Sequence, residues 1–315
     1  MKTTAAEKFH RPFFILNPVA GTSDAEKIRA EFEEACARFD WQPQVHMTRA
    51  GDDIDQIVSA AIAKGCDVMM AGGGDGTVSQ VASALVGKRL PLAIIPTGTA
   101  NLLARQLLLP LQLEKIFLYL ADEPDTIFLD AMQIGERYYV LNASVGFSSA
   151  LIQNTSREDK RRLGLIAYFW TGLRILIGFQ PYRFDMIIDG NRHVVRASEV
   201  FISDAYLLKE NVLLKNLEIP MEKGHLVVFA IKSRTFRDYL LLIGDVLFGK
   251  PRRSYRIRVF QIKNQIEVST KKPLMAQADG EMIGKTPLVV KVIPEAIQIL
   301  VPNEQHQLKP LIPMG

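Results

Sequence analysis

Asp67-Val68-Met69-Met70-Ala71-Gly72-Gly73-Gly74-Asp75-Gly76-Thr77-Val78 is the stretch on which the architecture turns. Asp67 to Ala71 reads as a short buried strand, and a helix is expected from Val78 to Val86. Between them an ordinary turn would need one or two glycines; here Gly72, Gly73, Gly74 and Gly76 fill four of five positions. Glycines without Cβ atoms let backbone N–H groups close on a phosphate. The helix that follows adds the positive end of its dipole. Asp75 is read as holding Mg²⁺ or orienting phosphates through water, and Thr77 as a hydroxyl donor.

The same rhythm extends on both sides. Phe13 to Leu16 is a strand run ending in Asn17-Pro18-Val19-Ala20-Gly21, and Asp24 to Phe39 has apolar residues at helical spacing. Ser23 or Asp24 would cap that helix. Val45 to Thr48 reads as a second strand, Asp53 to Lys64 as a second helix closed by Gly65. Leu92 to Ile95 is a fourth strand, followed by Pro96-Thr97-Gly98-Thr99-Ala100-Asn101 and another helix. Strand–loop–helix repetition predicts a parallel sheet covered on both faces. Ligands of such sheets bind outside the carboxyl ends of the strands, where all these loops lie.

After Asp130 the pattern becomes strand-like with short turns such as Asp189-Gly190-Asn191, interrupted by helical stretches at about Arg161–Phe179 and Phe236–Phe248. The expected organisation is a nucleotide-binding α/β domain over residues 1–130 and a mostly antiparallel β domain over 131–296. The tail from Ile297 onward is left open to pack on either.

Composition narrows the classes. The chain has 315 residues, 48% hydrophobic and 23% charged, which excludes disorder and collagen. A net charge of +4 gives no argument for nucleic acid and suits a phosphate ligand or an anionic surface equally. Cys36 and Cys66 form no CxxC and no metal cluster, so a reducing, cytoplasmic setting is expected. Met1 to His10 has no apolar core for a secretory signal. Leu163 to Phe179 carries Arg174 inside, which argues against a spanning helix.

Several patterns are decoys. Gly280 to Thr286 has three residues between its glycines where a P-loop needs four, and Pro287 follows in place of a helix. Residues 72–76 are not GxGxxG, and Gly146 to Ala150 is not a GxSxG elbow.

NPxxG at 17–21, GGGDGT at 72–77, P-x-G-T-x-N at 96–101 and Gln277-Ala278-Asp279-Gly280-Glu281, in that order, resemble the diacylglycerol kinase catalytic family. The likeness is closest to its bacterial soluble lipid kinases, which include long-chain-base kinase relatives, and covers roughly residues 9–302. It implies a Rossmann-like α/β nucleotide domain of NAD-kinase and diacylglycerol-kinase type, a C-terminal β-sandwich, and ATP in the cleft between them. Asn17, Pro18, Gly21, Thr48, Gly72, Gly73, Gly74, Asp75, Gly76, Thr77, Thr99 and Asn101 would line the nucleotide. Asp75 and Asp130 would belong to the Mg²⁺ network. Asp279 or Glu281 would accept the proton of a lipid hydroxyl, with the choice left open.

Two departures accompany the likeness. Leu102 stands where many members have Asp, and Lys223 where some have an acidic ligand for a structural Mg²⁺. The expected activity is ATP-dependent phosphorylation of diacylglycerol or a related lipid alcohol. Alternatives are an NAD kinase-like phosphotransferase, or a catalytically weak nucleotide- or lipid-binding protein. Lys160-Arg161-Arg162 beside 163–179, and Lys250 to Arg258 beside 240–248, suit either an anionic membrane surface or helices packed on the β domain. The expected partner is therefore a lipid substrate, with peripheral membrane contact and a homodimer left open, and no nucleic acid.

Overall fold

A computed structural model describes residues 4–5, 8–21, 24–147, 149, 181–204, 207, 224–232 and 257–303. The chain divides into two compact units, Met1–Leu129 with Glu295–Gly315, and Asp130–Pro294.

In the first unit the order is β1 (Thr4–Ala5), β2 (Pro12–Leu16), α1 (Ala25–Phe39), β3 (Gln44–Met47), α2 (Ile54–Ala63), β4 (Val68–Gly73), α3 (Asp75–Leu85), β5 (Leu92–Pro96), α4 (Leu102–Gln106) and α5 (Leu113–Ala121). β6 (Asp125–Ile134) begins here and runs past the division. The sheet is parallel in the order β3-β2-β4-β5, with Phe14 opposite Val45 and Met70, and Met70 opposite Ala93. Strands buried on both faces read as continuous apolar runs, which is why Phe13–Leu16 and Val68–Ala71 carry no alternation. One face, through Phe14, Leu16, Met70, Ala93 and Ile95, packs with Ile28 and Phe32 of α1 and Phe117 of α5. The Phe14 and Phe32 rings meet edge-on at 4.7 Å. The intervening Phe13, Ile15, Met69, Ile94 are equally buried, and α3 packs on β4 and β5. Each such side chain contributes ~1.5–3 kcal/mol by leaving water.

Helix starts follow side-chain caps. Asp24 accepts from the N–H groups of Glu26 and Lys27, and Asp53 from Gln56. Of the two residues the sequence offers as first cap, Asp24 takes the place.

The second unit contains β7 (Arg137–Tyr139), β8 (Asn142–Gly146), β9 (Tyr182–Ile188), β10 (Asn191–Ala197), β11 (Glu199–Asp204), β12 (Leu226–Ile231), β13 (Ile257–Ile262), β14 (Gln265–Thr270), β15 (Met275–Ala278), β16 (Glu281–Lys285) and β17 (Leu288–Val301). One antiparallel sheet runs β13-β12-β11-β8-β15-β16, and β10-β9-β14-β17 form another antiparallel run. A shared core of Ala143, Val145, Phe184, Met186, Val200, Ile202, Val228, Ile266, Val268 and Ala278 lies between them. This is a sandwich, as expected. The far end of β17 returns to the first unit, where Ile299 pairs in parallel with Leu92 of β5.

Several boundaries differ from the sequence reading. β4 runs to Gly73, and α3 starts at Asp75 in place of Val78. The sequence also predicts a strand over Tyr138–Leu141, but β7 ends at Tyr139, a bend follows, and β8 begins at Asn142. The helical stretches near 161–179 and 236–248, their basic flanks up to Arg256, and Glu222-Lys223 lie outside the described residues.

Candidate active site

Three loops of the first unit converge at the carboxyl ends of β2, β4 and β5. Asn17 leaves β2 with its N–H on the Gly72 carbonyl at 2.8 Å. Its side-chain amide donates to Thr77 Oγ1 at 3.0 Å, while its Oδ1 accepts from the Val19 N–H. Gly21, at φ +67°, lies where a Cβ would come within 2.3 Å of the Thr97 carbonyl oxygen. A Cβ on Gly98 would come within 2.3 Å of the Gly74 Cα. The loops therefore touch backbone to backbone.

The glycines of 72–76 separate into two kinds. A Cβ on Gly72 would strike the Phe14 ring at 2.6 Å, and one on Gly73 would strike Thr77 at 2.5 Å. Both sit inside β4, and internal packing accounts for them. Gly74 and Gly76 are different. At Gly74 the nearest atom to an added Cβ is 3.6 Å away, an ordinary contact, and at Gly76 nothing lies within 4 Å. Neither has a positive φ; Gly74 caps α3 in an extended conformation. Among the described residues nothing requires either to be glycine, and at Gly76, inside the helix, glycine costs about 1 kcal/mol relative to alanine. Both stand at the open N-terminal turn of an 11-residue helix, whose first N–H groups have no intrahelical partner. The arrangement suits the close approach of an anion.

Asp75, the first residue of α3, uses Oδ1 to accept the N–H of Leu102 at 2.5 Å and of Leu103 at 3.4 Å. It ties the third loop to the first turn of α3. Asn101, in a left-handed conformation, closes that loop by accepting from the Gly98 N–H and donating to the Gly98 carbonyl. Thr99 is exposed, and the Leu102 side chain is half exposed. Nothing in the sequence sets Thr97 apart from its loop, but its Oγ1 is buried with no hydrogen-bond partner among the described residues. Thr48 continues the β3 pairing through its N–H on the Leu16 carbonyl. The loop after it is pinned by Asp52, which lies 2.7 Å from His46 Nε2 and accepts the Arg49 N–H. The hydrogen bond to His46, then that to Arg49, holds the Asp52 carboxyl below the ordinary range.

In the second unit, Asp279-Gly280 is the two-residue turn between β15 and β16, with φ +49° and +83°. The Asp279 carboxylate accepts three successive backbone N–H groups, from Val140, Leu141 and Asn142, at 2.9–3.0 Å. Its own N–H donates to the Asn142 carbonyl. Glu281 opens β16 on an exposed position. Tyr139 stands beside it: burial raises its phenol, Arg137 opposes that, and the charges of Glu281 and Asp279 add to it.

The same corner occurs a second time. Asp189-Gly190 turns from β9 to β10 with φ +47° and +83°. Its carboxylate accepts the N–H groups of Lys263, Asn264 and Gln265, and its N–H donates to the Gln265 carbonyl. Only the Asp279 corner has a carboxylate, Glu281, where the other has Asn191. Asp279 is thereby explained as a clasp, with its oxygens turned to backbone.

Asp130 is buried and begins the second unit; its N–H donates to Asp204 Oδ2 at 3.1 Å. Asp75 and Asp130 thus belong to different units. Among the described residues, no three His, Cys, Asp or Glu side chains gather into a metal cage. Mg²⁺ carried by a nucleotide needs only one or two protein carboxylates, and Asp75 at the loop junction fits that demand. Among the described residues, no helix is long and apolar enough to cross a membrane.

Comparison with known proteins gives matches over nearly the whole chain. Residues 11–131 match the diacylglycerol kinase catalytic domain, and residues 142–301 the YegS C-terminal NAD kinase beta sandwich-like domain. A probable lipid kinase YegS-like protein of Pseudomonas putida is 28% identical, over 83% of this chain and 86% of its own. The diacylglycerol kinase of Bacillus subtilis is 22% identical, over 94% and 98%. A crystal structure of a diacylglycerol kinase from Bacillus anthracis superposes with a TM-score of 0.76, at 22% identity, covering 95% of this chain and 99% of that one.

Proposed function

The chain belongs to the lipid kinase family that joins a diacylglycerol kinase catalytic domain to a YegS-type sandwich, and from that premise we propose that it phosphorylates a lipid alcohol at the expense of ATP. The donor binds at the first unit's three loops. N–H groups of Gly74 to Thr77 meet its phosphates, with Asn17, Pro18 and Gly21 forming one wall and Thr99 and Asn101 another. Gly72 and Gly73 back this cradle from inside β4, and Thr48 borders the nucleotide. The Thr97 hydroxyl, without a hydrogen-bond partner among the described residues, supplies a further donor. The observation that carries the reading is the pair Gly74 and Gly76, glycines that neither packing nor φ demands.

Glu281 is the general base in this reading. Asp279 holds the turn with backbone-directed oxygens, whereas Glu281 extends from an exposed strand start. The carboxylate takes the proton of the lipid hydroxyl as its oxygen bonds to the γ-phosphorus. The bond from that phosphorus to the β,γ-bridging oxygen breaks, and ADP leaves with the electron pair. Backbone N–H groups aimed at the phosphoryl oxygens stabilise the charge that develops. Mg²⁺, when bound, would be held by Asp75, with Asp130 assigned to its network by the family resemblance, and would neutralise phosphate charge. Diacylglycerol is the first acceptor to test, with the enzyme working in the cytoplasm at a lipid surface.

Radiolabelled ATP with mixed micelles of diacylglycerols, monoacylglycerols and sphingoid bases gives the direct assay. Lipid-dependent transfer is expected, and Glu281→Gln should lower kcat by on the order of 10²–10⁴ with little change in the KM for ATP. No transfer to any of these lipids would overturn the proposal, and formation of NADP⁺ from NAD⁺ would reassign the acceptor.

A further inference from the structure

We infer that Gln277 is a positioning residue that fixes the catalytic turn, an inference resting on Glu281 being the base as proposed above. Gln277 is 4% exposed in β15 and spends its whole amide on neighbours. Nε2 donates to Asn142 Oδ1 at 2.8 Å and to Ser144 Oγ at 2.8 Å, both on β8. Oε1 accepts the Gly280 N–H at 3.0 Å, inside the turn that leads into Glu281. Asn142 in turn donates its backbone N–H to Asp279. Gln277 therefore grips the turn from one side while Asp279 grips it from the other.

The second copy of the corner tells which grip the fold itself requires. Asp189 repeats the three N–H bonds, the N–H to carbonyl bond and the positive φ values of Asp279. The residue two before Asp189, matching Gln277, is Ile187, 41% exposed. That hairpin forms without an amide clamp at the matching place. A buried glutamine is costly unless every polar atom is bonded, so the extra clamp needs a reason beyond hairpin formation. Glu281 is the residue that distinguishes the two corners chemically. A base displaced by about 1 Å loses on the order of 10²-fold in rate, so a second grip on its turn has a direct use.

Gln277→Met keeps the length and removes all three bonds; Gln277→Glu keeps an acceptor for Gly280. Both are measured with Glu281→Gln and the double variant Gln277→Met/Glu281→Gln. The assays are lipid-dependent transfer, thermal unfolding, and amide hydrogen exchange at Asp279–Glu281. Expected for Gln277→Met is a fall in kcat of about 10- to 100-fold, a KM for ATP within two-fold of wild type, and faster exchange at Gly280. Gln277→Glu should recover part of the rate. In the Glu281→Gln background, Gln277→Met should cost less than about two-fold more, because the base it positions is already gone. Wild-type kcat in Gln277→Met, unchanged Gly280 exchange, or a full multiplicative loss in the double variant would overturn the inference. A wild-type protein with no lipid transfer would instead sink the proposed function, and unchanged Gly280 exchange would then still refute the clamp.

Discussion

Gly76 is a residue whose identity works against its own helix. A Cβ there meets nothing within 4 Å, and its φ is not positive. Gly76→Ala should therefore stabilise the first unit by up to about 1 kcal/mol while weakening nucleotide binding. Urea unfolding and nucleotide titration separate the two effects, and a variant with unchanged affinity would remove Gly76 from the cradle. Asp189 supports a second prediction. Burial opposes its ionisation, but the N–H groups of Lys263, Gln265 and Asn264 outweigh that and hold the carboxyl below the ordinary range. Its folded pKa is thus lower than its unfolded one, so its contribution is complete above about pH 4 and fades as pH falls through the depressed folded value. Asp189→Ala should lose about 2 kcal/mol at pH 7, and the gap to wild type should shrink in strong acid to the pH-independent cost of alanine at a positive φ, as denaturant midpoints across pH would report. Legibility at this scale was uneven. The clustered glycines announce a phosphate loop in one dimension. The bond between Gln277 and Asn142 joins residues 135 positions apart, and nothing local to either marks it.

Among the elements, β4 and α3 explain both what the sequence reveals and what it hides. The apolar runs of the parallel sheet are unmistakable because both faces are covered. α3 starts three residues before the sequence predicts: Asp75-Gly76-Thr77 has the propensity of a loop, and the packed sheet end and the Asp75 bonds to Leu102 and Leu103 override that bias. β8, Asn-Ala-Ser-Val-Gly, carries little strand signal because its residues are small, although Ala143, Ser144 and Val145 are almost wholly buried. Gly72 marks where β4 meets β2, and Gly72→Ala should destabilise the first unit by about 2 kcal/mol through overpacking on the Phe14 ring. Phe14→Leu in the same chain should recover part of this loss. A thermal-melt series of the two single variants and the double would detect that coupling, and simple additivity would argue against the contact as the cause.

At the scale of the whole molecule, both cysteines lie in the first unit, so thiol chemistry reports on that unit alone. Burial, with help from Glu33, pushes the Cys36 thiol up to about 12, and it lies on the buried face of α1, in the core. Cys66 is only partly buried. At pH 8, Cys36 should resist thiol reagents in the native protein and react on unfolding, after Cys66. ATP with Mg²⁺ at a hundred times its Kd should slow Cys36 labelling by on the order of 100-fold, if opening of the unit limits reaction. Labelling indifferent to ATP would place the donor elsewhere. The repeated Asp-Gly corner has a bearing on descent as well. One chain carries two copies of the same backbone device, one next to the proposed chemistry and one remote from any assigned role. Across related genomes, substitutions tolerated at Asp189-Gly190 record what neutral drift permits in such a corner. The shortfall of change at Asp279-Gly280 against that internal clock would measure selection for turnover itself, separated from selection for folding.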